Sequence, residues 1–316
     1  MDKQGRTILP AVYDHAHPFR NGLASVLQGT LWGAINRSGE FIIPPFSTIS
    51  IDFTEGFAEF ESKGRWGVID TSGATIVPAR WDSVGYFSGG LAYVRDGDLY
   101  GFIDKHGTVI IPPFFEDARS FSEGLAAVKL GGKWGYIKPN GESAIPNQFV
   151  CKRGMAGPFR QGLARVARND RWGYINHQGE FVIEPRFDIA LEFSEGRGKV
   201  ELNKRDGYVD RDGTLVIPPQ FLRAEAFSEG LAAVDTGTGE AHKSISEACK
   251  KGFILPDGGC PFAPRFFSVG SFHGGLSLVE TEKEIGYIDR AGEFVWSSGY
   301  VDIGFLDPLN LLPPQP

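Results

Sequence analysis

The sequence predicts an all-β repeat protein, and three observations support this prediction. A Trp-Gly pair, or a variant of it, recurs along nearly the whole chain of 316 residues. A second motif, Phe-x-x-Gly, recurs in the same register. No stretch of useful length shows the hydrophobic period of an amphipathic helix. Because two independent motifs keep one register, the fold is expected to follow from a repeated unit.

The two motifs mark the same eight copies of this unit, which we number one to eight. Successive Trp-Gly glycines are separated by 34, 34, 34, 38, 34, 45 and 34 residues. The glycine anchors are Gly33, Gly67, Gly101, Gly135, Gly173, Gly207, Gly252 and Gly286, and the phenylalanine anchors are Phe19, Phe53, Phe87, Phe121, Phe159, Phe193, Phe227 and Phe272.

The sequence of each copy predicts about three short antiparallel strands followed by a connector. In copy four, FSEGLAAVKLGGKWGYIKPNGESAIPNQF, two short apolar runs flank Gly131 and Gly132, which can adopt the positive φ of a tight hairpin turn. A third run is clearest as TVIIPPFF at residues 108–115, where β-branched residues precede prolines. Proline has no N–H for a sheet ladder, so this strand should end there or lie at a sheet edge.

The predicted arrangement of the units is an open, twisted array with capping ends, and a closed, propeller-like toroid is the alternative. A unit of 34 residues is short beside the roughly 40–45 residues of a typical propeller blade. We expect a single β domain over residues 1–298, with regular repeats over 1–190 and degenerate repeats over 191–298. Residues 299–316 are expected to form a C-terminal cap and tail.

The segments EGLAAV, GGKWGYI and GTVIIPPFF together resemble the WG (KWG) repeat family of bacterial proteins, over roughly residues 2–296. This resemblance implies a bacterial origin and a binding or scaffolding role, because the family has no shared catalytic motif. We call the residue before each anchor glycine the tryptophan slot. The last three copies depart from the pattern, since the slots hold Trp32, Trp66, Tyr100, Trp134, Trp172, Asp206, Lys251 and Ile285.

The Trp-Gly pairs are predicted to be structural. A tryptophan buries a large apolar surface, and the glycine lets another backbone approach where a Cβ would clash. Every copy must bury its apolar face against its neighbours, so the same contact is needed once per repeat. A row of exposed aromatic rings that stack on a sugar or a base is the alternative.

Composition and charge exclude several classes of partner. The formal charge of −7 supplies no basic surface for a nucleic acid backbone. No apolar run reaches the roughly 18 to 20 residues of a membrane span, so no membrane insertion is expected. The first copy lacks its first half, which suggests that Met1 is not the native start and that a leader was removed. For a bacterial protein this would favour the periplasm over the cytoplasm.

The sequence predicts no enzyme, no cofactor and no metal site. It contains no Gly-x-Ser-x-Gly elbow, His-Glu-x-x-His helix, phosphate-binding loop or Cys-x-x-Cys pair. His15 and His17 alternate as strand ligands could, yet no third ligand is near them, so a surface loop is expected. A regular hairpin would hold Cys249 and Cys260 roughly 10 Å or more apart, which leaves a disulfide between them open.

The irregular copies six and seven are the predicted partner surface. In copy seven the usual five-residue turn becomes the sixteen residues 235–250, and such insertions map to loops on one face, often the binding face. Drift in weakly constrained repeats is an equal alternative. The candidate binding residues are Arg197, Lys199, Lys204, Arg205, Asp235, Glu240, His242, Lys243 and Glu247.

Two functions follow as hypotheses. The first is a non-catalytic protein-binding module, most concretely an inhibitor or immunity protein that binds and occludes a bacterial toxin or effector enzyme. The second is a cell-envelope or carbohydrate-binding repeat protein that uses exposed aromatics. The first hypothesis predicts buried tryptophans and binding through copies six and seven. The second hypothesis predicts several exposed, evenly spaced tryptophan rings.

Overall fold

The structure is a computed structural model, and it describes residues 9–10, 12–20, 22–152, 154–237 and 251–299. This part of the chain is all-β, with 29 strands and no helix, and therefore with no helix that could span a membrane. The predicted cap and tail from residue 300 onward lie outside it. The chain divides into two compact units, residues 1–159 and 160–316.

The first unit contains sheets one to four, each an antiparallel meander in chain order. Their strands are β1 (His15–Ala16), β2 (Leu23–Gln28), β3 (Leu31–Asn36) and β4 (Phe41–Ser47) in sheet one; β5 (Phe57–Ser62), β6 (Arg65–Asp70) and β7 (Thr75–Trp81) in sheet two; β8 (Ser83–Val84), β9 (Leu91–Asp96), β10 (Leu99–Asp104) and β11 (Val109–Phe115) in sheet three; and β12 (Asp117–Ala118), β13 (Ala126–Leu130), β14 (Lys133–Ile137) and β15 (Ser143–Phe149) in sheet four.

The second unit contains sheets five to eight, built in the same way. Their strands are β16 (Ala164–Arg168), β17 (Arg171–Ile175) and β18 (Phe181–Phe187) in sheet five; β19 (Ile189–Ser194), β20 (Arg197–Leu202), β21 (Arg205–Val209) and β22 (Leu215–Phe221) in sheet six; β23 (Arg223–Ala224), β24 (Ala232–Asp235) and β25 (Lys251–Ile254) in sheet seven; and β26 (Ser268–Val269), β27 (Ser277–Glu280), β28 (Glu284–Ile288) and β29 (Phe294–Gly299) in sheet eight.

The connectors carry a fourth strand that the sequence did not reveal. In sheet four, the connector residues Asp117 and Ala118 pair with Lys129 and Val128 of β13. In sheets three and four a 34-residue copy therefore contains the four strands of a propeller blade, because the fourth strand needs only two residues, whereas sheets two and five have three strands. The sheets match the propeller-like alternative, and the open twisted array that the sequence favoured is the less supported of the two arrangements.

The third strand of the regular copies runs through its prolines and lies at the edge of its sheet. In sheet three, β11 includes Pro112 and Pro113 and pairs only with β10, so the missing N–H groups leave no gap in the ladder. Its register with β10 shifts between Tyr100 and Phe102, on either side of Gly101. A Cβ on Gly101 would lie 2.4 Å from the carbonyl oxygen of Ile111. The glycine of the Trp-Gly pair thus makes room for the bulged edge strand.

In sheets three, five, six and seven, the aromatic residue that follows the anchor glycine packs on the anchor phenylalanine of the next copy. Tyr208 of sheet six packs on the anchor Phe227 at 4.9 Å between ring centroids, and its hydroxyl donates to the Glu225 carbonyl at 2.6 Å. Burial raises the pKa of Tyr208, which keeps the hydroxyl protonated as a donor. Tyr174 makes the same contacts with Phe193 and the Leu191 carbonyl.

A glutamate in the Phe-x-Glu-Gly turn adds a second link between neighbouring sheets. Glu195 has φ of +50° and Gly196 has φ of +77°, as the central residues of a type I′ turn require. The Glu195 carboxylate accepts the N–H groups of Glu229 and Gly230, at 2.7 and 2.8 Å. Glu229 repeats this contact with the next turn, as Glu55 does in the first unit. The left-handed backbone of these glutamates is therefore balanced by charge-assisted hydrogen bonds.

Candidate functional site

The regular tryptophan slot is a filled, apolar position. In sheet five, Trp172 is 3% exposed and pairs across β16 with Ala167 and across β18 with Phe187. The guanidinium carbon of Arg165 lies 5.0 Å from the centre of the indole ring, and Arg165 Nε donates to Glu192 Oε1 at 2.9 Å. Arg165 stands two residues before Ala167 and so on the same face of the sheet. We call this place the facing position.

Sheet six fills the same slot with an ion pair. Asp206 occupies the slot and is 4% exposed, and Lys199 occupies the facing position. Lys199 Nζ donates to Asp206 Oδ2 at 2.9 Å, and the same oxygen accepts the Ala224 N–H of sheet seven at 2.8 Å. Asp206 Oδ1 is buried without a hydrogen-bond partner among the described residues. The carboxylate has replaced an indole ring, and the ammonium group neutralises it.

Sheet seven leaves the slot incompletely filled. Lys251 occupies the slot and the small Ala233 occupies the facing position. A cavity of about 190 Å³ lies here; its lining includes Arg223, Glu225, Ala233, Asp235, Lys251 and Val269. Ala233 and Asp235 form a buried floor, whereas Arg223 and Glu225 are exposed at the rim. Sheet seven therefore holds a charged pocket in the place that a tryptophan ring fills elsewhere.

The structure brings two of the predicted binding residues together at the base of the long insertion. Arg205 Nη1 donates to the Gly237 carbonyl at 3.4 Å, and the Gly237 N–H donates to Asp235 Oδ1 at 2.9 Å. Asp235 also borders the pocket. Lys204 lies beside Arg205 and is exposed in the β20–β21 turn. These three residues form one surface, which we call the insertion base.

Two other candidate residues have structural partners. Lys199 is held in the ion pair with Asp206. Arg197 Nε donates to the Pro256 carbonyl at 3.0 Å and so links sheet six to the turn after β25. The remaining candidates, Glu240, His242, Lys243 and Glu247, lie outside the described residues, as does Cys249, so the disulfide with the exposed Cys260 that the sequence left open stays untested.

Sequence reasoning missed Arg223, Glu225 and Lys251 as members of the site. Lys251 carried a usable signal, because a lysine in a slot that elsewhere holds tryptophan predicts unfilled space. No sequence signal marked Arg223 and Glu225, since they lie in the connector and reach the pocket only because β23 pairs with β24.

The facing position of sheet two holds a third kind of side chain. Glu59 is only 7% exposed, and burial raises the pKa of its carboxyl to about 7, with the Asp52 charge acting in the same direction. Asp52 in turn contacts His17 Nδ1 at 3.2 Å. His15 and His17 lie against Trp32, and no group of three or more possible metal ligands occurs among the described residues.

The tryptophan rings do not form an exposed row. Trp81, Trp134 and Trp172 are buried, and the other three tryptophans are half-buried. The carbohydrate-binding hypothesis expected several exposed and evenly spaced rings, so the observation it depends on is missing. The expected structural role of Trp-Gly agrees with this burial and with the close approach at the glycine.

Comparison with solved structures shows similarity at the level of the fold. The crystal structure of a eukaryotic initiation factor matches with a TM-score of 0.62 and 11% identity, over 91% of this chain and 88% of that chain. Dihydro-heme d1 dehydrogenase NirN, in complex with DHE, matches with a TM-score of 0.50 and 13% identity, over 92% of this chain and 76% of that chain. No curated protein matches the sequence.

The repeats themselves match a family model described as WG containing repeat. The matched residues are 1–30, 32–66, 66–100, 100–134, 134–172, 172–205 and 207–237. These seven consecutive matches keep the register of the glycine anchors and cover copy six on both sides of its slot residue, Asp206, which itself lies between two matches. The chain therefore belongs to the family of WG containing repeat proteins.

Proposed function

We propose that the protein is a non-catalytic protein-binding module whose binding surface is the insertion base on sheets six and seven. The observation that carries this proposal is the contact of Arg205 with the Gly237 carbonyl, together with the Gly237 N–H bond to Asp235. Side chains from two adjacent sheets are thereby held at the point where the longest insertion begins.

The surroundings of this surface support binding to another protein. Lys204 is exposed and Arg205 is half-buried, and both contribute positive charge, whereas the Asp235 carboxylate is largely buried. Charges on a surface allow a partner to be selected by complementary charges and oriented during encounter. The sheets fix the backbone of these residues, so little conformational entropy would be lost when a partner binds.

The most concrete form of this function is an inhibitor or immunity protein that occludes a toxic or effector enzyme. A rigid surface with a long insertion suits occlusion, because an inhibitor must cover an active site without rearranging. In this form of the proposal the partner is an enzyme on another chain, and the WG repeat protein itself catalyses no reaction.

The test is affinity capture of partners from lysate of the source organism. We would compare the intact protein with a variant whose residues 236–250 are replaced by a five-residue, glycine-containing turn, and with Lys204→Glu. Lys63→Glu is the matched control, since it reverses an exposed lysine in a β-hairpin turn of sheet two. Circular dichroism would establish that each variant is folded.

The expected result is one stoichiometric protein that the intact chain and Lys63→Glu both capture. The shortened variant and Lys204→Glu should lose most of it. If the partner is an enzyme, its activity should fall to zero at one equivalent of the intact protein. Equal capture by all four proteins, or none by the intact protein, would contradict the proposal.

A further inference from the structure

We propose that the pocket of sheet seven binds a planar, indole-type aromatic ring supplied by another molecule. The pocket occupies the tryptophan slot of its sheet, and the slots of sheets four and five hold indole rings that are almost completely buried. In those sheets the ring comes from the chain itself. In sheet seven the slot residue is Lys251, whose flexible side chain does not fill the space.

The comparison with sheet four shows what is missing. Both sheets have alanine at the facing position, Ala127 in sheet four and Ala233 in sheet seven. In sheet four the small alanine is matched by the large ring of Trp134, and Arg119 lies 5.9 Å from the centre of that ring. Sheet seven keeps the small alanine but has no ring, and the volume of about 190 Å³ is the result.

The size of the pocket suits a bicyclic ring. A cavity of about 150 Å³ inside a protein is enough to bind benzene. The pocket of sheet seven is larger, at about 190 Å³, and Ala233, Val234 and Val269 give it apolar walls. An aliphatic chain would fill such a space less well, because it lacks the flat shape that sheets four and five enclose around Trp134 and Trp172.

The charged groups around the pocket match the polar parts of an indole. Lys251 and the rim residue Arg223 can lie against the face of the ring, where the quadrupole attracts a cation. The carboxylates of Glu225 and Asp235 can accept the indole N–H, which usually finds a hydrogen-bond partner when the ring is buried. An aromatic ring without an N–H is therefore expected to bind more weakly than indole.

The ring could belong to a tryptophan of a partner protein or to a small free compound, and the link to a partner rests on the proposed function. The pocket borders Asp235, which is part of the insertion base. A partner that contacts the insertion base would therefore have the pocket within reach of one of its aromatic side chains. Buried aromatic residues of this kind often dominate the binding energy of an interface.

The test is titration of the full chain with N-acetyl-tryptophanamide, followed by NMR. Lys251→Trp fills the slot from within with the residue that the slots of sheets four and five hold, and Ala233→Leu fills it from the floor. Lys283→Trp, at an exposed lysine of the same unit, is the control for an added tryptophan. N-acetyl-leucinamide is the control for an apolar side chain without a ring.

We expect saturable binding of N-acetyl-tryptophanamide to the intact chain and to Lys283→Trp, and at least a tenfold loss in both filling variants. N-acetyl-leucinamide should not bind. Absence of saturable binding, or equal binding by the filling variants, would overturn the proposal. Two filling variants are used because a single one could fail to fold, which circular dichroism would show.

Capture of the partner separates the two sources of the ring. If Lys251→Trp loses both N-acetyl-tryptophanamide and the partner, the ring belongs to the partner. If it loses only N-acetyl-tryptophanamide, the pocket stands as a site for a free indole compound and its link to the partner is wrong. Binding of the amide by a chain that captures no partner would support the pocket while contradicting the proposed function.

Discussion

Sheets five and six are consecutive copies of one unit, and they stabilise the tryptophan slot by different interactions. Their registers are identical, with Val166 opposite Gly173 in one and Val200 opposite Gly207 in the other. Sheet five places an indole ring under an arginine, whereas sheet six places a carboxylate against the ammonium group of Lys199. The difference teaches that the slot tolerates exchange when the facing residue changes with it. The buried carboxylate of sheet six depends on its facing cation, whereas tryptophan occupies the slot opposite glutamate, alanine or arginine in sheets two, four and five.

The largest expected effect comes from breaking the pair of sheet six. Lys199→Met leaves the Asp206 carboxylate buried without its cation, and such a loss costs about 3–5 kcal/mol. The double variant Lys199→Met/Asp206→Leu should recover part of this stability, because no charge remains buried although the Ala224 N–H loses its acceptor. Urea unfolding would measure the free energy, with the exposed Lys204→Met as the control. A loss below about 1 kcal/mol in the single variant would show that the pair is not coupled.

The second test uses the facing position of sheet two, where Glu59 has no cation in the role of Lys199. Its pKa of about 7 in the folded state exceeds its ordinary value of 4.5. The folded protein therefore holds a proton that the unfolded chain releases, so the contribution of Glu59 to stability is fully present below pH 4.5 and is lost as the pH rises toward 7. The loss above pH 7 corresponds to about 3 kcal/mol.

Glu59→Gln should therefore stabilise the protein by about 3 kcal/mol at pH 8 and have little effect at pH 4. Urea unfolding at both pH values would measure this difference. The exposed Glu282→Gln serves as the control and should change stability equally little at both. A Glu59→Gln variant whose stability advantage does not depend on pH would contradict the assignment.

The third test compares the anchor glycine of a regular sheet with that of an irregular sheet. A Cβ at Gly173 would lie 2.4 Å from the backbone oxygen of Ile183, whereas at Gly252 the nearest atom is the Pro264 Cα at 3.0 Å. Gly173→Ala should cost about 2–3 kcal/mol, and Gly252→Ala about 1 kcal/mol. Thermal and urea unfolding of the two variants would measure both. Equal losses would indicate that the edge strand relaxes as easily in sheet five as in sheet seven.

The smallest expected effect tests a contact that does not depend on the slot. Glu195→Ala removes two hydrogen bonds to the next turn and keeps a side chain at positive φ, at a cost of about 1 kcal/mol. Glu195→Gly removes the same bonds but relieves the backbone, so it should destabilise less. Urea unfolding of both would measure the difference. If Glu195→Ala lowered the free energy of unfolding less than Glu195→Gly, this account of the turn would be wrong.

The repeated elements of the fold were predictable because their signals are local. Gly131 and Gly132 lie between two apolar runs, and the structure places a hairpin there. The short connector strand was missed, because two residues such as Asp117 and Ala118 are too few to show a period. Its absence from the prediction made 34 residues look short for a blade, which counted against the closed, propeller-like alternative.

The site was predictable only in part. The departures from tryptophan marked sheets six and seven, and two of the candidate binding residues, Arg205 and Asp235, both contact Gly237. The partner of Lys199 was not predicted, because Asp206 faces it only once the strands pair. The pocket depends on Val269 of sheet eight and on the connector of sheet seven, and a contact between distant segments leaves no local pattern.

The prolines of the edge strands bear on how the protein avoids aggregation. An edge strand with free N–H groups is a template on which another chain can add, and a β-branched run such as TVII is prone to do so. In β11 the exposed Ile110 and Phe114 flank Pro112 and Pro113, which cannot donate to an incoming strand. The residues that shape the bulge beside Gly101 therefore also act as gatekeepers against intermolecular β-sheet growth.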